Sequence, residues 1–136
     1  MSPNLPILAL STGDPAGIGP EICIKAALDE DVRRLCRPLL VGDPRVINTH
    51  IQACGLNCNL HPLSSIHELK GYNYALPLIS LDHFSESPLE LGAINAQNGL
   101  ASLDASVTAI QLALSGDVKA VVAAPNTKTS INLAGI

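Results

Sequence analysis

Ten consecutive residues constrain this chain more than any others: Thr12-Gly13-Asp14-Pro15-Ala16-Gly17-Ile18-Gly19-Pro20-Glu21. The apolar run at 5–10 before them reads as a buried strand, and the apolar-periodic run at 18–28 after them reads as a helix. A strand, a glycine-rich turn and a helix start together form a physical device. Glycines let backbone approach a ligand closely, and a helix N-terminus offers free N–H groups and partial positive charge to an anion. Pro20 suits an early helical position, where its missing N–H costs little. The G-x-x-x-G-x-G spacing is not the dinucleotide fingerprint, and no Gly-Lys-Ser/Thr follows to make a Walker A loop. A tight strand-to-helix turn without a ligand is the other reading.

Strand and helix patterns alternate along the rest of the chain. Strands are expected at 5–11, 38–41, 58–61, 74–81 and 119–124, with Pro77 pointing to an edge strand or a bend. Helices are expected at 17–28, from the Asp43 N-cap to about Cys54, and at 93–115; Asp29-Glu30-Asp31 reads as a solvated break. The segment 64–70 is ambiguous and reads as one helical turn, and 82–92 reads as a loop. In the longest helix Ala96, Leu100, Leu103, Val107, Ile110 and Leu114 form one stripe, and Ala101, Ala105, Ala109 and Ala113 form a second. Two stripes imply burial on two sides, against a sheet and against a further partner. Left uncovered, such a face predicts self-association. The alternation predicts an α/β fold: a layered, mostly parallel sheet flanked by helices.

The 136 residues suffice for one domain with a sizeable core. With 47% hydrophobic but only 2% aromatic residues, that core must be aliphatic and alanine-rich. A net charge of −4 argues against nucleic-acid or membrane-surface partners, while backbone amides still allow a small anionic substrate. No apolar segment is long enough for a membrane span, and the N-terminus lacks a basic start and cleavage site, so a cytoplasmic protein is expected. Cys23, Cys36, Cys54 and Cys58 follow no tight disulfide spacing. His50 and Cys54 lie one helical turn apart, a spacing that can share a metal, but Cys58 and His61 follow a helix end and no CxxC is present. Ordinary packing is the favoured role for that cluster. His50, His61, His67 and His83 show no paired ligand spacing, so no catalytic metal site is expected within residues 1–136.

The nine residues Gly-Asp-Pro-Ala-Gly-Ile-Gly-Pro-Glu resemble the N-terminal signature of the 4-hydroxythreonine-4-phosphate dehydrogenase family. They are also similar to the shorter Gly-Asp-Gly-Ile-Gly-Pro-Glu of isocitrate and isopropylmalate dehydrogenases. A second block, from Gly116-Asp117-Val118-Lys119 to Ala124-Pro125-Asn126-Thr127-Lys128, resembles the family's strand-then-loop pattern, in which Thr-Ala-Pro-Ile-Asn-Lys is typical. Leu133-Ala134-Gly135-Ile136 fits as well. The resemblance implies the isocitrate/isopropylmalate dehydrogenase-like fold in incomplete form. It implies that residues 1–136 are the N-terminal portion of a longer enzyme whose metal-ligand histidines and most nicotinamide contacts lie beyond them.

The implied activity is NAD- or NADP-dependent, metal-dependent oxidation, with decarboxylation, of a phosphorylated hydroxy acid such as 4-hydroxythreonine 4-phosphate in pyridoxal phosphate biosynthesis. A divalent metal (zinc, magnesium or cobalt) would lower the alcohol's pKa, and the nicotinamide would accept the hydride. A homodimer is implied for the full-length form, and this portion alone is expected to be inactive. By the same resemblance Gly13, Asp14, Pro15, Ala16, Gly17 and Gly19 lie near the cofactor or the cleft. Asp14 either bonds a ligand or bonds its own turn; Glu21 suits the helix dipole. Lys128 follows a strand end, where open α/β sheets gather ligands, and would bind phosphate or carboxylate as a point charge; a solvated loop lysine is the alternative. Asn126 and Thr127 would donate hydrogen bonds nearby. Ala123 replaces the usual threonine and Asn126-Thr127 the usual Ile-Asn, which leaves the substrate open. Threonate or erythronate 4-phosphate and aromatic dihydrodiol carboxylates are alternatives. So are a phosphate acyltransferase on the same fold and a non-catalytic binding domain.

Overall fold

A computed structural model describes residues 5–69 and 75–136. The strands are β1 (Ile7–Ser11), β2 (Arg37–Gly42), β3 (Leu60–Leu63), β4 (Leu76–Ser80) and β5 (Ala120–Ala123). The helices are α1 (Gly19–Leu28), α2 (Glu30–Leu35), α3 (Pro44–Ala53), α4 (Ala96–Leu114) and α5 (Lys128–Leu133), with a 3-10 turn at Ile66–Glu68. All strand pairs are parallel, in the order β3-β4-β2-β1-β5. Buried parallel strands carry apolar residues on both faces. Here Leu10, Leu40 and Leu78 face the α1/α3 layer with Ile24 and Ile47. Ala9, Leu39, Val41 and Ile79 face the other layer, with Ala105 and Ala109 of α4. The α/β sheet flanked by helices is therefore the observed architecture.

The topology positions the site. From β1 the chain steps through α1 and α2 to β2 on one side. After β4 it crosses through α4 and adds β5 on the other side of β1. The direction of winding reverses between β1 and β5, and the crevice outside the carboxyl ends of such a strand pair is where open α/β sheets bind ligands.

Several boundaries and one exposure pattern differ from expectation. The solvated break expected at Asp29-Glu30-Asp31 narrows to Asp29, whose extended backbone separates α1 from α2. The Asp29 carboxylate accepts the Asp31 and Val32 N–H groups and caps α2, and Glu30 and Asp31 suit its first turn. Pro77 does not mark an edge, because β4 lies between β3 and β2. Leu76 N–H donates to the Asn59 carbonyl, just before β3, so the next nitrogen, that of Pro77, faces β2. The β2 ladder starts one residue later, at Leu40 opposite Leu78. Strand β3 begins at Leu60 rather than 58, and α4 begins at Ala96 behind an Asn95 cap rather than at 93. The turn Ile66–Glu68 falls inside the ambiguous segment. Lys70 of that segment and Tyr74 of the expected fourth strand lie outside the described residues.

On α4 the two stripes differ in burial. Ala101, Ser102, Ala105 and Ala109 are buried, whereas Leu100, Val107, Ile110 and Leu114 stand 41–83% exposed. At Gly99 the α5 backbone approaches too closely for any side chain. A Cβ on Gly99 would lie 2.0 Å from the Ser130 carbonyl oxygen on α5. Among the described residues no helix is long and apolar enough to cross a membrane.

Candidate binding site at the switch point

The two sequence blocks meet at the carboxyl ends of β1 and β5. Asp14 joins them. Its N–H donates to the Pro125 carbonyl at 2.9 Å. Its Oδ1 accepts the Ala16 N–H at 3.0 Å, and its Oδ2 accepts the Thr127 hydroxyl at 2.6 Å. The carboxylate thus closes its own turn and also ties the second loop, and both of its oxygens are engaged.

The glycines serve this contact. Gly13 has φ +71°, and a Cβ there would lie 2.3 Å from the Pro125 carbonyl oxygen. A Cβ on Gly19 would lie 2.3 Å from the Thr12 carbonyl oxygen, and one on Gly17 would crowd Asp14 Oδ2 at 3.2 Å. The close approach that the glycines permit is therefore taken up by the protein's own atoms on the side where Cβ would stand. Gly13, Asp14, Pro15, Ala16 and Gly19 are buried; the loop meets solvent at half-buried Gly17 and at Ile18, which is 64% exposed.

Two further contacts hold the first loop down. His50 Nε2 on α3 lies 2.8 Å from the Pro15 carbonyl oxygen. The Gly92 N–H donates to the Ala16 carbonyl at 2.8 Å. The second loop is gripped from α4, where the buried Ser102 hydroxyl bonds Asn126 Oδ1. Asn126 and Thr127 thus spend a side-chain oxygen each on structure, while Lys128 is exposed. Among the described residues Lys128 makes no ion pair. It opens α5, the helix end where the dipole disfavours a cation. Of the two joined loops, Ile18, Pro125, Asn126 and Lys128 are exposed and Gly17 is half-buried.

The expected His50–Cys54 neighbours do not share a partner. Cys54 Sγ donates to Glu21 Oε1 at 2.7 Å, and Lys25 lies 3.5 Å from Glu21 Oε2. The thiol bond and Lys25 lower the Glu21 pKa, and the same bond, followed by burial, raises that of Cys54. Among the described residues no three His, Cys, Asp or Glu side chains gather as a metal-holding group. Among the described residues, then, no group stands ready to hold the divalent metal implied by resemblance. Sequence reasoning passed over His50 as a loop anchor and over Ser102 and Gly99. A glycine inside an apolar helical pattern was the one available signal.

Residues 34–136 match the family described as pyridoxal phosphate biosynthetic protein PdxA. The chain is 37% identical over 131 residues to a provisionally named D-threonate 4-phosphate dehydrogenase of Symbiobacterium thermophilum, covering 96% of this chain and 39% of that protein. It is 32% identical to the 4-hydroxythreonine-4-phosphate dehydrogenase of Desulforapulum autotrophicum, covering 99% and 40%. The crystal structure of a 4-hydroxythreonine-4-phosphate dehydrogenase from Burkholderia phymatum superposes with a TM-score of 0.89 at 27% identity, over 96% of this chain and 39% of that one. The chain thus spans about two fifths of the length of these relatives. Its relatives are dehydrogenases, its parallel sheet is theirs, and the family match takes in the second loop with Lys128: the chain belongs to the PdxA family.

Proposed function

We propose that these residues form the N-terminal part of an NAD- or NADP-dependent, metal-dependent dehydrogenase. It oxidises and decarboxylates a phosphorylated hydroxy acid such as 4-hydroxythreonine 4-phosphate, in pyridoxal phosphate biosynthesis. The observation that carries the reading is Lys128: an exposed cation without an ion-pair partner among the described residues, at the helix end that disfavours it, beyond the carboxyl end of β5. A phosphate would complement that charge. In this reading the chain's own residues bind and orient. Lys128 holds the anionic group, the Asn126 amide nitrogen donates beside it, and Asp14 and Ser102 hold the loop still. Metal ligands and most nicotinamide contacts come from the rest of a full-length enzyme, which works as a cytoplasmic homodimer. The metal and nicotinamide supply the alkoxide stabilisation and hydride acceptance that the oxidation needs.

D-Threonate 4-phosphate is the second substrate reading, favoured by the name of the Symbiobacterium relative. The test is reduced-nicotinamide formation by the full gene product with a divalent metal and each phosphorylated acid in turn. Turnover of either acid supports the reading. Phosphate-dependent acyl transfer without nicotinamide binding, or ligand binding without turnover, would replace it with the acyltransferase or binding-domain alternative.

A further inference from the structure

His50 and Cys54 lie one helical turn apart on one side of α3. Both reach the first loop. His50 is only 5% exposed, and its Nε2 meets the Pro15 carbonyl oxygen at 2.8 Å. A carbonyl has no proton to give, so Nε2 carries the hydrogen and donates it. Cys54 takes hold of Glu21 at 2.7 Å. Pro15 precedes the Gly17–Ile18 corner that meets solvent, and Glu21 follows it. One side of α3 therefore grips the loop before and after its exposed corner. Within the loop the Ala16 and Gly17 N–H groups bond Asp14, and proline contributes no N–H of its own.

We propose that His50 is a positioning residue of the candidate site. Its Nε2–H fixes the Pro15 carbonyl and so sets the direction in which the Gly17–Ile18 corner and the start of α1 face an anionic ligand. His50 touches no ligand; it acts through the loop. The proposal deepens the reading given under Proposed function and rests on that reading for its effect on turnover, but not for its effect on the loop.

The test compares wild type, H50Q and H50L in the full gene product. Amide hydrogen exchange across residues 13–19 reports the loop, and kcat and KM for the phosphorylated acid report the site. H50L is expected to speed exchange roughly tenfold and to raise KM by a similar factor with little change in kcat, the scale of one lost buried hydrogen bond. H50Q, whose amide can still donate, is expected to recover most of both. Unchanged exchange in H50L, or equal losses in H50L and H50Q, overturns the proposal. Nitrogen chemical shifts of His50 in the wild type need no variant: an Nε2–H ring supports the proposal, and a bare Nε2 overturns it. Wild type with no turnover of any phosphorylated hydroxy acid defeats the functional reading alone, because the exchange and shift measurements still decide what His50 does.

Discussion

The Thr127 hydroxyl donates to Asp14 Oδ2 at 2.6 Å across 113 residues of sequence. This bond makes one surface out of two loops that the chain order keeps far apart. Asp14 is only 9% exposed, so losing either partner strands a polar group in a poorly hydrated place. Asp14→Ala and Thr127→Val are each expected to cost about 1–3 kcal/mol in urea denaturation. The double variant should cost less than the sum, since both remove the same bond. Strict additivity would mean that the two loops are not coupled through it.

Gly99 tests the α4–α5 contact. Alanine there would place Cβ 2.0 Å from the Ser130 carbonyl oxygen. Gly99→Ala is expected to destabilise by about 1–3 kcal/mol, as overpacking does, despite alanine's better helix propensity. A denaturation midpoint at or above that of wild type would contradict the contact.

The sheet and its helices were legible because strand and helix periods differ and because Asp43, Gly55 and Gly116 punctuate them. What failed was local. Three acidic residues show where α1 stops but not that Asp29 caps a second helix. Two apolar stripes on α4 predict two covered faces, but only the small-residue one, with Ala101 and Ala105, is buried here, while Leu100 and Ile110 are exposed. Which face is covered depends on the elements packed against the helix, and a periodicity cannot show them. Lys128 is legible as a candidate through its place after a strand. His50 is not, because it meets a carbonyl on another element, which leaves no spacing rule in sequence.

The outward stripe of α4 has a measurable consequence. Leu100, Val107, Ile110 and Leu114 are exposed together on one helix. The 136-residue chain is expected to associate with rising concentration in sedimentation velocity, and Ile110→Lys with Leu114→Lys should reduce that association. A monodisperse wild-type monomer at high concentration would show that the stripe tolerates water.

Cys23 predicts a loss of stability in alkali. Burial raises its thiol pKa to about 11 from an ordinary value of 9.0. The unfolded chain releases this proton first. The group's contribution is therefore fully present below pH 9 and is lost as pH rises through about 11. The loss is on the order of 2–3 kcal/mol. Denaturation from pH 8 to 11 should show this decline in wild type, and Cys23→Ala should flatten it. Equal slopes would mean that Cys23 is not the group responsible.

The most direct test of the account is made on Lys128. In the full gene product, kcat/KM would be measured for wild type and Lys128→Met with a phosphorylated hydroxy acid and with the same acid lacking phosphate. The account predicts that Lys128→Met loses roughly tenfold or more on the phosphorylated acid, the scale of one charge-assisted contact, and little on the other. Equal values for wild type and variant on the phosphorylated acid would contradict an anion site at the β1–β5 switch point.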